Sequence, residues 1–277
     1  MLPTFFVIGQ AKCGTTSVCE HLRHHPQVFF TEPKEPHYFA VELPGRTWEW
    51  YQSLLKGSEQ AVAVGEGSTS YTRPDIFRKC AEGILGHVPE ARLVYLVRDP
   101  IARLESDWKM RVREGRADWD DINTSIDNNP AVVELGKYWR NISAYRELFP
   151  EEQLLILSLE DLSRDPEESY RRIYRHIGVD EWFPEADDAA SNTAEDYRKG
   201  GVLSWARKLG LGDAVRTVLP ERMIGPLKAL VSTPYRYEAN WDPARLADLQ
   251  ALYREASAPL LDHMGKPRDF WSYRARG

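Results

Sequence analysis

The first apolar run, Thr4-Phe5-Phe6-Val7-Ile8, carries aromatic and β-branched residues without polar alternation and stops at Gly9. So short a run predicts a strand covered on both faces, as in a parallel sheet, rather than an amphipathic helix. From Thr15 to His25 the period becomes helical, with Val18 and Leu22 on one face, and Pro26 ends it. The alternation then repeats: residues 61–64 predict a second strand, 74–85 a helix and 92–97 a third strand. Asp99 stands where an N-cap belongs and Pro100 at the first helical position, so the next helix starts there and runs to about Glu114. Residues 154–157 predict a fourth strand, and a helix over 166–177 closes at Gly178. Strands separated by helical crossovers predict a three-layer α/β/α fold around a central, mainly parallel sheet.

Beyond this alternation the pattern weakens. Residues 187–201 are polar and loop-like, 202–230 carry weak helical signals broken by Pro220 and Pro226, and 243–264 predict a long amphipathic helix. With 277 residues and neither a repeat nor a low-complexity tract, the chain reads as one domain over 1–277, with a ligand-binding core over 1–201 and a helical C-terminal elaboration over 202–277.

Composition narrows the partners. Lys plus Arg total 36 against 42 for Asp plus Glu, a formal charge of −6, which argues against nucleic-acid polymers and anionic membranes as partners. An anionic ligand would have to be met by a local cluster of cations. Three cysteines, Cys13, Cys19 and Cys80, are too few and too irregularly spaced for a disulfide framework or a zinc cluster, so no metal and a reducing compartment are expected. No run approaches the roughly 18 apolar residues of a membrane span, and the expected location is the cytoplasm. The pattern leaves the oligomeric state open.

Chemistry enters at the first strand-to-helix junction, Gly9-Gln10-Ala11-Lys12-Cys13-Gly14-Thr15-Thr16-Ser17. This P-loop-like strand-loop-helix points backbone N–H groups and a helix N-terminus at one spot, which suits a phosphate or sulfate. The nucleoside-triphosphate version reads G-x-x-x-x-G-K-S/T; here Gly9 and Gly14 keep the spacing, but Thr15 replaces the lysine and the cation lies inside the loop at Lys12. That displacement argues against an ordinary ATPase or GTPase and leaves anion binding intact. The hydroxyls of Thr15, Thr16 and Ser17 would also serve a plain helix cap.

Taken with Arg98-Asp99-Pro100-Ile101-Ala102-Arg103-Leu104-Glu105-Ser106, the loop resembles the sulfotransferase superfamily, whose donor is 3′-phosphoadenosine 5′-phosphosulfate (PAPS). The pattern is nearest to the heparan-type and bacterial branch. The resemblance implies that Lys12, Gly14, Thr15, Thr16 and Ser17 cradle the 5′-phosphosulfate. It also implies that Arg98 and Ser106 hold the 3′-phosphate, and that Arg198-Lys199-Gly200 closes over it. The product would be adenosine 3′,5′-bisphosphate (PAP), with no metal in the reaction.

On the acceptor side, Pro33-Lys34-Glu35-Pro36-His37-Tyr38-Phe39 keeps Glu35 out of a helix, because Pro36 disfavours helical backbone at the residue before it. This stretch is similar to the E-x-H-F/Y-F pattern of the heparan-type branch, which implies Glu35 as general base with His37 beside it. Cytosolic members use a histidine, so His37 is the alternative base. Lys12 would stabilise the bridging oxygen of the departing PAP. Gly67 stands where glycan-modifying members often carry a lysine. Trp48, Trp50 and Trp205 are candidates for either the core or an acceptor cleft. The expected function is sulfuryl transfer to a hydroxyl or amine of a small molecule, lipid or carbohydrate. The alternatives are an ATP-dependent small-molecule kinase and a non-catalytic binder of an anionic nucleotide.

Overall fold

The apolar run at the start of the chain becomes the middle of a sheet. The computed structural model describes residues 1–41, 44–115, 121–184 and 238–275. Its strands are β1 (Phe5–Val7), β2 (Val28–Phe30), β3 (Ala63–Glu66), β4 (Arg92–Val97) and β5 (Leu154–Ser158). They pair in parallel in the order β2-β3-β1-β4-β5. Phe5, Phe6 and Val7 are fully buried at its centre, as a strand covered on both faces requires.

Parallel neighbours need crossovers, and these carry the helices. The connections run through α1 (Thr15–His24) after β1, α2 (Trp48–Ser53) after β2 and α3 (Phe77–His87) after β3. After β4 come α4 (Pro100–Arg113), α5 (Ile122–Asn128), α6 (Ala131–Glu134) and α7 (Tyr138–Leu148); after β5 come α8 (Leu159–Arg164) and α9 (Pro166–Ile177). Right-handed crossovers in this strand order send α1 to one face and α2, α3 and the α4–α7 connection to the other. The packing agrees: His21 of α1 stacks on Tyr170 of α9 at 3.7 Å between ring centroids, while α3 packs against α7. The three-layer arrangement is therefore as expected.

This winding places β1 between two neighbours, β3 and β4, whose onward connections leave by the opposite face. Crevices open at the carboxyl ends of strands where the winding reverses. The loop after β1 thus has a crevice on each side, one toward the end of β4 and one toward the end of β3.

Local signals fix several boundaries. Asp99 caps α4 by accepting from the N–H groups of Ile101 and Ala102, with Pro100 next. Gly178 ends α9 at φ 80°. Two expected boundaries move. β3 covers 63–66 rather than 61–64, because Val62 is 55 % exposed whereas Glu66 is fully buried. The next helix starts at Phe77 rather than Pro74, after a 3-10 turn over Thr69–Thr72. β2, inside the proline-flanked stretch, is a strand the pattern did not announce.

In the C-terminal region, α10 (Pro243–His263) contacts α4 and α7. Tyr253 of α10 fills the space over Gly136, where a Cβ would lie 2.6 Å from the Tyr253 ring. The chain after α10 returns to the core, with Trp271 and Tyr273 buried. Residues 202–237 and Arg198-Lys199-Gly200 lie outside the described residues. Among the described residues no helix is long and apolar enough to cross a membrane.

Candidate active site

The loop after β1 turns through two left-handed residues, Lys12 at φ 71° and Gly14 at φ 90°. The second needs glycine for a further reason: a Cβ there would sit 2.8 Å from Leu159 Cδ1 of α8. Beyond Gly14, α1 begins without a side-chain cap and without an acidic residue in its first turn. Its first N–H groups and the positive end of its dipole therefore face outward, ready for an anion. Thr15 is buried, while Thr16 and Ser17 are exposed at this helix start. Lys12 extends over α4, with Nζ 3.5 Å from Met110 Sδ, a weak acceptor. Burial draws the Lys12 ammonium below its ordinary value; nearby Asp107 opposes that shift, and Arg113 and Arg98 reinforce it.

Arg98 leaves the end of β4 and donates from Nη1 to the Lys12 carbonyl at 3.2 Å. Its Nε is buried and has no hydrogen-bond partner among the described residues. Arg98 lines a cavity of about 340 Å³ together with Leu159, Glu160, Ser163 and Arg164. Ser106 lies half-buried on α4, nearly two turns in. Arg98 pairs with neither Asp99 nor Asp107, whose carboxylates go to the α4 cap and to Arg111.

The second crevice holds Glu35 and His37. Glu35 Oε1 accepts from Lys34 Nζ at 2.8 Å, and Oε2 accepts from the Thr69 hydroxyl at 2.9 Å and the Thr69 N–H at 3.3 Å. Burial alone would push this carboxyl up. The Lys34 ammonium, the bonds from Lys34 and Thr69, and nearby His37 together hold it below the ordinary carboxylate value. His37, at φ 56°, donates its N–H to Ser68 Oγ at 3.1 Å and places Nδ1 2.7 Å from Ser70 Oγ. That leaves Nε2 facing Glu35 Oε2 at 3.7 Å. Burial lowers the imidazole's pKa; Glu35 opposes, while Arg46, Lys34 and Arg73 add to the lowering. Arg46 Nη1 donates to the Pro36 carbonyl at 2.6 Å, and its guanidinium lies 5.0 Å from the centre of the Trp50 ring. Trp48 and Trp50 are half-buried, with Trp48 stacked on Tyr51 at 5.3 Å, and Trp205 lies outside the described residues.

Lys34, Ser68, Thr69 and Ser70 orient the two candidate bases, and of these only Lys34, adjacent in sequence, offers itself from the sequence as a partner for Glu35. A signal for the hydroxyls was available: a strand, a glycine and then consecutive hydroxyls is the same grammar as the loop after β1. Gly67 is explained by packing, since a Cβ there would lie 2.5 Å from Cys19 Sγ of α1. A lysine at 67 would collide with that helix, and Lys34 brings an ammonium to Glu35 instead.

Beneath this turn lies Glu66, fully buried, with Oε2 accepting from the Tyr51 hydroxyl at 2.6 Å and the hydroxyls of Tyr71 and Ser68 nearby. Burial pushes its pKa up to about 7. The folded state therefore holds this proton more tightly than the unfolded chain. The associated stability is present in full below about 4.5 and is lost as pH rises through about 7. That gap corresponds to roughly 3 kcal/mol. Relative to the natural protein, Glu66→Gln should gain about 2 to 3 kcal/mol more stability at pH 8 than at pH 5 in urea unfolding. An equal difference at both pH values would show that Glu66 titrates as an ordinary carboxyl.

Residues 2–209 match a family model described as Sulfotransferase domain. Heparan sulfate glucosamine 3-O-sulfotransferase 3A1 of Mus musculus is 27 % identical over 187 residues, covering 64 % of this chain and 46 % of the relative. Carbohydrate sulfotransferase 15 of Mus musculus is 23 % identical over 246 residues, covering 64 % and 44 %. The chain thus spans about half the length of the relatives it matches. Among solved structures, a sulfotransferase from Alicyclobacillus acidocaldarius superimposes with a TM-score of 0.70 at 20 % identity, covering 98 % of this chain and 99 % of that one. This last likeness concerns the fold.

Proposed function

The chain belongs to the sulfotransferase domain family, and from that premise we propose that it transfers the sulfuryl group of PAPS to a hydroxyl or amine of a small-molecule, lipid or carbohydrate acceptor. The observation that carries this reading is the contact of Arg98 Nη1 with the Lys12 carbonyl. It joins two cation-bearing motifs, 86 residues apart in sequence, at one crevice, while the Glu35–His37 pair stands at the other crevice beside the same loop.

The residues fit the donor. An uncapped helix start, an unpartnered buried Nε on Arg98 and the adjoining cavity offer donors to several anionic oxygens. Lys12, Gly14, Thr15, Thr16 and Ser17 would hold the 5′-phosphosulfate, and Arg98 and Ser106 the 3′-phosphate, with Arg198, Lys199 and Gly200 closing over it. When bound, PAPS supplies a sulfuryl group on a good leaving group, the bisphosphate PAP. Glu35 takes the acceptor proton as the acceptor oxygen or nitrogen bonds to sulfur, and Lys12 stabilises the charge that develops on the departing oxygen. Thr69 and Lys34 fix the direction of the carboxylate, and Ser70 fixes the ring of His37, the alternative base. The names of the relatives, heparan sulfate glucosamine and carbohydrate sulfotransferases, support a sugar among the acceptors. Three buried free cysteines accord with work in the cytoplasm.

The test is to incubate the purified protein with PAPS and a panel of alcohols, phenols, amino sugars and lipids. At least one acceptor should accelerate PAP release. Tight PAP binding with no release for any acceptor would turn the reading into that of a non-catalytic nucleotide binder.

A further inference from the structure

The peptide unit between Arg98 and Asp99 is held at both of its polar atoms. The Tyr138 hydroxyl donates to the Arg98 carbonyl at 2.8 Å, and the Asp99 N–H donates to Glu160 Oε1 at 3.0 Å. Trp271, buried near the end of the chain, touches both holders. Its indole N–H donates to Glu160 Oε2 at 3.0 Å, and its ring meets that of Tyr138 edge to face at 6.0 Å between centroids. Tyr273 adds a third bond, donating its backbone N–H to Asp99 Oδ2 at 2.8 Å while Asp99 Oδ1 caps α4. Lys266 Nζ holds Asp161, next to Glu160, at 2.9 Å.

We propose that the tail over residues 266–273 is part of the nucleotide site, with Trp271 as the positioning residue that aims Arg98 at the 3′-phosphate. The inference rests on the sulfotransferase reading and deepens it. Among the described residues Arg98 has a single hydrogen bond from its own guanidinium, to the Lys12 carbonyl, and its Nε has none. Its direction is therefore set by the backbone from which it springs, and small misplacements of a positioning group are costly. Glu160, on the cavity wall, ties that backbone to the indole. The bonds join residues 111 and 174 positions apart, and the tail lies beyond residues 2–209, the span of the family match.

The experiment compares PAP with adenosine 5′-phosphate, which lacks only the 3′-phosphate, by calorimetric titration of the whole protein. Trp271→Phe keeps a ring against Tyr138 and removes the N–H. PAP affinity should fall ~10-fold while that for adenosine 5′-phosphate stays within about twofold, the size expected for one hydrogen bond to a charged group. Equal losses for both ligands, or no loss for either, would overturn the proposal, because a tail that merely stabilises the fold has no preference for the 3′-phosphate. Should Trp271→Phe not fold, Glu160→Gln decides. Its amide cannot accept from both the Asp99 and the Trp271 N–H groups, so one tie is lost whichever way it turns. Removing a negative charge near a phosphate would by itself tighten PAP binding, so a loss confined to PAP, with adenosine 5′-phosphate within about twofold, comes from lost positioning, and tighter or unchanged PAP binding, or an equal loss for both ligands, sinks the idea. If the natural protein binds neither nucleotide, the sulfotransferase reading itself fails; if it binds PAP and both variants match it, only the role of the tail does.

Discussion

Glu35→Gln should lower kcat by ~10²- to 10⁴-fold, the range for loss of a positioned general base, while PAP affinity stays within about threefold. The amide keeps the length of the side chain and can still accept from Thr69, so the turn over 68–70 has no reason to move. What disappears is the acceptor for the substrate proton. The pH profile separates this role from that of His37. Glu35 must be ionised to act, and its pKa is held below the ordinary 4.5, so it should impose no acid limb on the rate above about pH 5. His37 must be neutral to act, and its pKa lies below 6.5; a histidine base would therefore add an acid limb that vanishes in His37→Asn, asparagine being chosen because it tolerates the left-handed backbone at this position. A Glu35→Gln enzyme retaining a third or more of its kcat would hand the proton to His37.

How much of this was legible before the fold was known depends on the range of each interaction. β4 could be read directly, because every residue from Leu93 to Val97 is buried and nothing in the run is charged. β3 was displaced because hydrophobicity favoured Ala61 and Val62, whereas the fold leaves Val62 in solvent and buries Glu66 against Tyr51, a partner 15 residues away. β2 escaped notice because three residues between prolines carry too little pattern, and their stability comes from pairing with β3. In the site, Lys12, Arg98 and Glu35 were visible because short local motifs present them. Thr69 was not, since it meets Glu35 across 34 residues, nor was Trp271, which reaches Glu160 across 111. Spacing along the chain reveals groups that a single turn presents; it is silent about the partners that aim them.

Lys12→Ala should cost a further ~10²- to 10³-fold in kcat, the loss seen when one preorganised charge-stabilising donor is removed, with a smaller effect on PAP affinity. The two effects separate because the charge on the bridging oxygen grows only as the sulfuryl group leaves, while a bound PAP keeps the helix N-terminus, the hydroxyls of Thr16 and Ser17 and the guanidinium of Arg98. The backbone provides a control. Lys12 sits at φ 71°, and alanine carries the same Cβ, so the substitution changes the charge without relieving the turn, as glycine would. Lys12→Arg is not conservative here, because a planar fork replaces a compact ammonium beside Met110. The pH dependence supplies an independent reading. Lys12 acts while protonated, and burial lowers its pKa below 10.5, so kcat should decline on the alkaline side earlier than an exposed lysine would dictate. That limb should be missing from the residual activity of Lys12→Ala. If kcat is unchanged, or only KM for PAPS rises with the alkaline limb intact, then Lys12 holds the donor in the ground state and another group must meet the departing oxygen.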